Sequence, residues 1–511
     1  MEAKRSGFKR TLTAAAFLAA AAFGSAMSPS LATAQVLHYA TGTDARTLDP
    51  QYVTDIPTAR VVTQIHETLV GRDKAGAIKG VLAESWDVSE DGKVWTFHLR
   101  KGLEFHDGTP FNAAAVKFSY DRIRAEKTAA PRASIMLPIA AVDVVDDYTI
   151  NVTTHERFAP LLSQLSAYPL SIISPKAGEA LNADYSKAPA GTGPFKLESW
   201  SPGERINLVA NKAYWGDAPK IEGVEFLVVP EDSTRLLKLM AGEADIISNI
   251  SPMMLDSLSN SPEIKVLNET GIRTIYAGFN VKMKPFDDIR VRQAIAHAID
   301  TKSILHGVMN NVGSLGGSLE SPILPLAPTI PPYEFNPQRA KELLAEAGYA
   351  NGLKLDFYVP TGRYINDRQV GEAIQAQLRE VGVDVTLHSP EWGAYISMLD
   401  AGNKAGFFLL GKGSPTGDLD YTLGTNLSRE GTSNYHAYAS DKIEELLVKQ
   451  REAIDEGKRA ELLKEILTTA YDDVPLIVLF YENQVFATRS AVKDFAVLPN
   501  EMLVFSTVSV D

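Results

Sequence analysis

The sequence predicts an α/β protein built as at least two lobes. Three observations carry this. The chain has 511 residues, more than one hydrophobic core usually organises. Strand, helix and strand signals follow one another at 221–247 and again at 336–387. Residues 82–123, ahead of both, read as a hairpin, a turn and a helix.

The first element is the hairpin. A polar turn, Ser89 to Gly92, separates runs containing Trp86 and Trp95. Trp95, Phe97 and Leu99 alternate with Thr96, His98 and Arg100, the period of a strand with one buried face. A second turn at 106–110 precedes Asn112, a capping residue for a helix carrying Val116, Phe118 and Tyr120. Gly191 and Gly193 suit a tight turn feeding a strand from Phe195. The apolar, β-rich run 221–229 is a strand, Ser233 to Met240 has helical spacing with Gly242 as its stop, and 244–247 is another short strand. Asp288 caps a helix whose Val291, Ala294, Ile295, Ala298 and Ile299 form one face. His297 on that helix packs rather than ligates, since no partner stands at i+4. A Gly, Ser and Pro-rich stretch, 313–332, is a loop. Asn336 and Pro337 open a helix ended at Gly348. Then come strand 353–359, helix 374–380 and strand 383–387, and a strand-rich tail from Asn483.

The N-terminus looks like an export signal. Lys4, Arg5, Lys9 and Arg10 precede an Ala- and Leu-rich run, 11–23, that is short for a membrane span. Ala32-Thr33-Ala34 is an A-x-A-like cleavage site, with Ala26 as the alternative. Removing residues 1–34, whose four basic residues and Glu2 carry a net +3, takes the formal charge from −13 to −16. No basic block survives, so nucleic acid and anionic membrane surfaces are disfavoured partners. The chain has no cysteine, hence no lipid-attachment cysteine, disulfide or thiolate chemistry.

Catalytic patterns are missing. His66-Glu67 and His155-Glu156 begin like HExxH, but Val70 and Ala159 stand where the second histidine belongs. No GxSxG elbow occurs, and the Gly191–Gly193 turn lacks the GxxxxGK[ST] pattern of a phosphate loop. Plentiful Asp and Glu leave a paired-carboxylate hydrolase open on composition alone.

The wording of several segments is more specific than their periodicity. LAESWDVSEDGKVWTFHLRKGLEFHDGTPFNAAAVKFSYDRI at 82–123, AGTGPF at 190–195 followed by Trp200 and NKAYW at 211–215, and VRQAIAHAIDTKSIL at 291–305 resemble the bacterial extracellular solute-binding proteins of family 5. That family includes dipeptide-, oligopeptide-, glutathione-, opine- and nickel-binding proteins, which deliver ligands to ABC importers. The resemblance implies a two-lobed periplasmic-binding-protein (Venus-flytrap) fold with an extra subdomain in the first lobe. It implies lobe I at 35–280 with the subdomain at about 76–189, lobe II at 281–482, and a return to lobe I at 483–511. The hinge falls near Phe279–Lys284 and Tyr481–Phe486. It also implies a monomeric periplasmic receptor with no cofactor, whose partners are a small polar ligand, peptide or opine-like, and a membrane permease. A glycan receptor on the same scaffold, a nickel binder and a periplasmic hydrolase are the alternatives.

Candidate ligand residues come from loops that follow strands, where open α/β sheets place ligands. The first loop, Tyr39 to Asp44, supplies Thr41, Thr43 and Asp44, and in peptide-binding relatives it lines the cleft. Gly362-Arg363-Tyr364 supplies Arg363 and Tyr364; the plain reading of Arg363 is a surface residue paired with Asp367 at i+4. Trp392 either stacks on ligand or fills a core. The stretch 413–421 supplies Ser414, Asp418 and Asp420. Asp418 matches the aspartate that pairs with a peptide's α-amino group in relatives, whose GDPD reads here as Gly417-Asp418-Leu419-Asp420, without the proline. Both aspartates could instead be turn residues bonding their own backbone. His436 is the candidate metal ligand, but a lone histidine makes no metal site.

Overall fold

A computed structural model describes residues 35–125, 128–402 and 405–511; the expected signal segment, 1–34, lies outside them. Ten strands form one mixed sheet. Its order is Val383–His388, Leu353–Tyr358, Phe407–Lys412, Ile264–Phe279, Leu476–Arg489, Ile246–Ser248, Val36–Thr41, Gly223–Val228, Arg205–Ala210 and Phe195–Ser201. The strands before residue 250 gather in one half and those from 353 to 412 in the other. Two long antiparallel strands, Ile264–Phe279 and Leu476–Arg489, join the halves and pair with each other along most of their length. Their register slips between Thr270 and Arg273, opposite Asn483 and Glu482. A slip of this kind bends a strand and turns its side chains, and here it aims Arg273 and Glu482 at the same space.

The hairpin forms as its alternation requires. Ala83–Val88 pairs antiparallel with Val94–Leu99, and Trp95, Phe97 and Leu99 are buried while their neighbours are half-buried. With Thr149–Thr154 and Ile139–Asp146 it makes a separate four-stranded sheet. Helix Ala113–Arg124 covers it, its first turn capped by the Asn112 side chain accepting from Ala115 N–H. In the main sheet, helix Asp232–Ala241 ends at Gly242, whose φ of +75° closes it with a left-handed turn. Helix Ile289–Ala298 starts where Asp288 accepts from Arg290 N–H. On the second half, helices Ile289–Ala298, Pro337–Glu346 and Asp367–Glu380 bury one face of the sheet. Helices Trp392–Asp400, Leu419–Leu427, Asp441–Glu452 and Glu456–Asp473 bury the other.

One helix departs from the sequence reading. Periodicity places its start at Ile374, yet it runs from Asp367. Gly371, inside the added turns, sits there because a Cβ would come within 2.9 Å of Val359; close packing requires glycine. The His66-Glu67 pair is structural too. The buried Glu67 carboxylate accepts from Tyr214 Oη at 2.7 Å, Trp215 Nε1 at 2.8 Å and Thr192 Oγ1 at 2.8 Å. Burial pushes this carboxyl above the usual range, and the three donors offset part of that rise. It ties the 211–215 corner and the 190–195 turn to the end of helix Ile56–Ile65.

Candidate ligand-binding site

A cavity of about 240 Å³ lies where the two long strands meet the loops after Thr41 and after Tyr358. Four arginines reach its wall: Arg60, Arg235, Arg273 and Arg363. Each is held differently. Arg235 is fully committed, donating to the carbonyls of Val229, Pro230, Ser248 and Asn249 at 2.7–3.1 Å. It shapes the rim. Arg273, on the bent strand, pairs with Glu501 at 2.7 Å and Glu482 at 3.5 Å. Burial works against its charge, but the two carboxylates outweigh that and hold the guanidinium above its usual range. Arg60 donates to the Glu501 carbonyl at 3.1 Å and stands over the Phe486 ring. It has no carboxylate partner among the described residues.

Arg363 is half-buried, the least covered of this set. Gly362, with φ of +73°, turns the chain out of strand Leu353–Tyr358. Asp367 does not pair with the Arg363 side chain. Its carboxylate accepts instead from the backbone N–H groups of Gly362 at 3.3 Å, Arg363 at 2.8 Å and Tyr364 at 3.1 Å. That cradle fixes the turn and frees the guanidinium, which lies 5.0 Å from the Tyr364 ring centre and 5.2 Å from that of Trp392. No hydrogen bond or salt bridge to this guanidinium exists among the described residues. Burial, and then the nearby Arg273 charge, lower its proton affinity. With Glu482 and Glu501 shared on Arg273, the wall keeps an excess of positive charge at Arg60 and Arg363. Such a wall favours a ligand with an acidic group.

Residues 77–434 match the family model for bacterial extracellular solute-binding proteins, family 5 Middle. The chain belongs to that family. Among its relatives, the dipeptide-binding protein of Escherichia coli K12 is 32% identical, over 84% of this chain and 86% of that protein. The fold matches a periplasmic binding protein DppA from Helicobacter pylori, solved with the peptide STSA, at a TM-score of 0.85 and 31% identity, covering 93% of this chain and 98% of that one. It also matches the binding protein AgaA from A. tumefaciens R10, solved with agropinic acid, at a TM-score of 0.82 and 27% identity, covering 93% and 99%. The sequence reading of a two-lobed, solute-binding α/β protein therefore holds.

In this solute-binding protein the residues expected at the site fall into three groups. Thr43, Arg363 and Tyr364 line the main cavity. Thr41 and Asp44 line a small neighbouring recess with Thr43 and Arg60; the Asp44 carboxylate accepts from Gly203 N–H at 2.7 Å and Ala45 N–H at 2.7 Å, a turn-forming role. Trp392 is half-buried behind Arg363 as its platform.

Ser414, Asp418, Asp420 and His436 are not on the cavity wall. Asp418 caps helix Leu419–Leu427 and forms a two-pronged pair with Arg459, at 2.6 and 2.9 Å. Asp420 is taken by Arg451 at 2.6 Å and by Gln450. Ser414 donates to the Asp418 carbonyl at 2.8 Å. The expectation of an amine anchor at Asp418 thus meets a carboxylate already satisfied by the protein. The physical reason is the following helix, whose first turn needs a cap, and an arginine delivered by helix Glu456–Asp473.

His436 is buried between Tyr276 and Phe408, with ring centres 5.6 and 5.4 Å away. No group of three or more His, Cys, Asp or Glu side chains suited to a metal occurs among the described residues. Burial, then the Lys412 charge, pull its pKa from 6.5 to about 3. The folded protein keeps this ring neutral while the unfolded chain protonates it below 6.5. Its stabilising contribution is complete above that value and is lost as the pH falls towards 3. At about pH 4.5 the loss is on the order of 2–3 kcal/mol for one such histidine. Urea unfolding of wild type and His436→Gln at pH 7 and about pH 4.5 should show a smaller pH penalty in the variant. Equal penalties would mean His436 titrates normally.

The sequence reading missed Arg60, Arg273, Glu482 and Glu501. Arg273 and Glu501 are 228 positions apart, and no local pattern marks either. The one available signal was a charged residue beside each apolar run, Arg273 before 275–279 and Glu482 after 476–481.

Proposed function

We propose that this protein is the periplasmic receptor of an ABC importer, exported through a cleaved N-terminal segment. It captures a small polar ligand, peptide or opine-like, between the lobes 35–280 and 281–482 and hands it to a membrane permease without chemical change. The observation that carries this reading is Arg363: a guanidinium held against two aromatic rings, facing the cavity, with no acid of its own. A ligand carboxylate supplies that acid. A ligand ammonium is best placed at Glu482, which burial pushes above the usual carboxyl range and which has only the 3.5 Å contact to Arg273 among side-chain charges. Arg273 is then the pivot between the two ligand charges, and unpaired charges in such a site are costly enough to set selectivity.

The test is native mass spectrometry of protein purified from the periplasm. The expected result is a co-purified species of a few hundred daltons bearing a carboxylate, released intact on denaturation. A neutral glycan, a metal adduct or steady conversion of the bound molecule would each replace this reading.

A further inference from the structure

Lys412 ends strand Phe407–Lys412, where it is the register partner of Thr274. Opposed residues of an antiparallel pair project from the same face, so Lys412, Thr274 and Tyr276 share one side of the sheet. The Thr274 and Tyr276 hydroxyls are buried and have no hydrogen-bond partner among the described residues. The Lys412 ammonium has no hydrogen bond and no salt bridge among the described residues; it stands 5.8 Å from the centre of the Tyr435 ring. The nearby carboxylate, Asp400, accepts from the Tyr435 hydroxyl at 2.7 Å.

The other charge close by is also positive. Arg132 donates to the Tyr421 hydroxyl and the Thr54 carbonyl, both at 2.8 Å, and its Nε is buried without an acceptor. Burial first, and then Arg132, lower the Lys412 ammonium to about 7, with Asp400 opposing. His436 lies within reach of the same charge and stays neutral. Lys412 and the two hydroxyls thus share one face, Arg132 is a second cation acting on Lys412, and the carboxylate that opposes it, Asp400, is already bonded to Tyr435. Buried cations are expensive unless paired, and an acidic group is a partner that complements both the ammonium and the hydroxyl donors beside it. This place lies at the same strand end as the Arg363 wall, on the other face of the sheet: Gly411, just before Lys412, donates its N–H to the Tyr364 hydroxyl at 2.8 Å and projects towards Tyr364.

We propose that Lys412, with Arg132, Thr274 and Tyr276, forms a second acid-binding subsite, so that the ligand held at Arg363 carries two acidic groups. The inference rests on the reading of Arg363 as the first such contact. The ligand class is then a dicarboxylate or a phosphorylated acid rather than a simple neutral-side-chain peptide.

The test follows the Lys412 ammonium directly, by carbon-13 NMR of the reductively methylated full-length mature protein. Lys412→Arg assigns its signal, and Lys412→Gln does so if the arginine variant folds poorly. The probes are inorganic phosphate and glutarate. Both should raise the Lys412 titration midpoint by about one unit or more, as an opposite charge at contact does, in wild type and in Arg363→Met alike. Glutarate affinity should also fall at least about tenfold in Lys412→Gln. An unmoved Lys412 midpoint at saturating phosphate and glutarate overturns the subsite. A moved midpoint combined with equal glutarate affinity in wild type and Arg363→Met supports the subsite while removing Arg363 from the reading.

Discussion

Arg363→Met should leave the protein folded and take away most of its affinity for the co-purified ligand. The guanidinium makes no hydrogen bond among the described residues, so its loss removes only the stacking on Tyr364 and Trp392, which the methionine side chain partly replaces. It also relieves repulsion with Arg273, which acts on it through the shared Tyr364 face. Melting temperature without ligand should stay level or rise slightly. With ligand, one partner of a desolvated ion pair is missing. Such truncations cost about 2–5 kcal/mol, on the order of thirtyfold to several thousandfold in affinity. Arg363→Lys should recover part of this, since it restores charge but loses the flat contact with Trp392. Titration calorimetry on the three proteins decides the matter. Wild-type affinity in Arg363→Met would remove the carboxylate contact from this residue.

The second large effect is on stability. Asp418→Ala should strand the buried Arg459 guanidinium, leaving it the Gln450 side-chain oxygen at 3.2 Å as its remaining acceptor. Breaking one side of a buried pair costs about 3–5 kcal/mol, and losing the helix cap adds about 1 kcal/mol. Urea unfolding should register the sum, while ligand affinity measured well below the melting transition should change little. Asp418→Leu combined with Arg459→Met should regain much of the loss, because a packed apolar pair replaces a charge pair at little cost. An amine-anchoring Asp418 predicts the reverse pattern: normal stability and a large loss of affinity. The two outcomes do not overlap.

These two residues show what was legible beforehand. Hairpin, caps and strand–helix alternation were legible because each rests on neighbours in sequence: Asn112 with Ala115, Asp288 with Arg290, Gly242 at the end of its helix. The loops after Thr41 and Tyr358 were legible as ligand loops for the same reason, through their position at strand ends. The charge pairing was not. Whether Asp418 is free depends on Arg459, two helices further on. Whether Arg363 is free depends on Asp367 choosing the backbone N–H groups over the side chain four residues away. Arg273, Glu482 and Glu501 meet only because two long strands and the C-terminal segment converge.

Those two long strands have a further consequence for how the molecule comes apart. Ile264–Phe279 and Leu476–Arg489 contribute to both halves of the sheet, so neither half owns a complete set of strands. Cutting the chain between the halves would leave the Phe407–Lys412 strand on one side and the Ile246–Ser248 strand on the other with bare edges, open to pairing with other chains. Each half therefore leans on strands shared with the other although the chain folds around several cores. Loss of order in one should withdraw the template of the other, so calorimetry is expected to show one unfolding transition; two separated transitions would show that the halves melt independently.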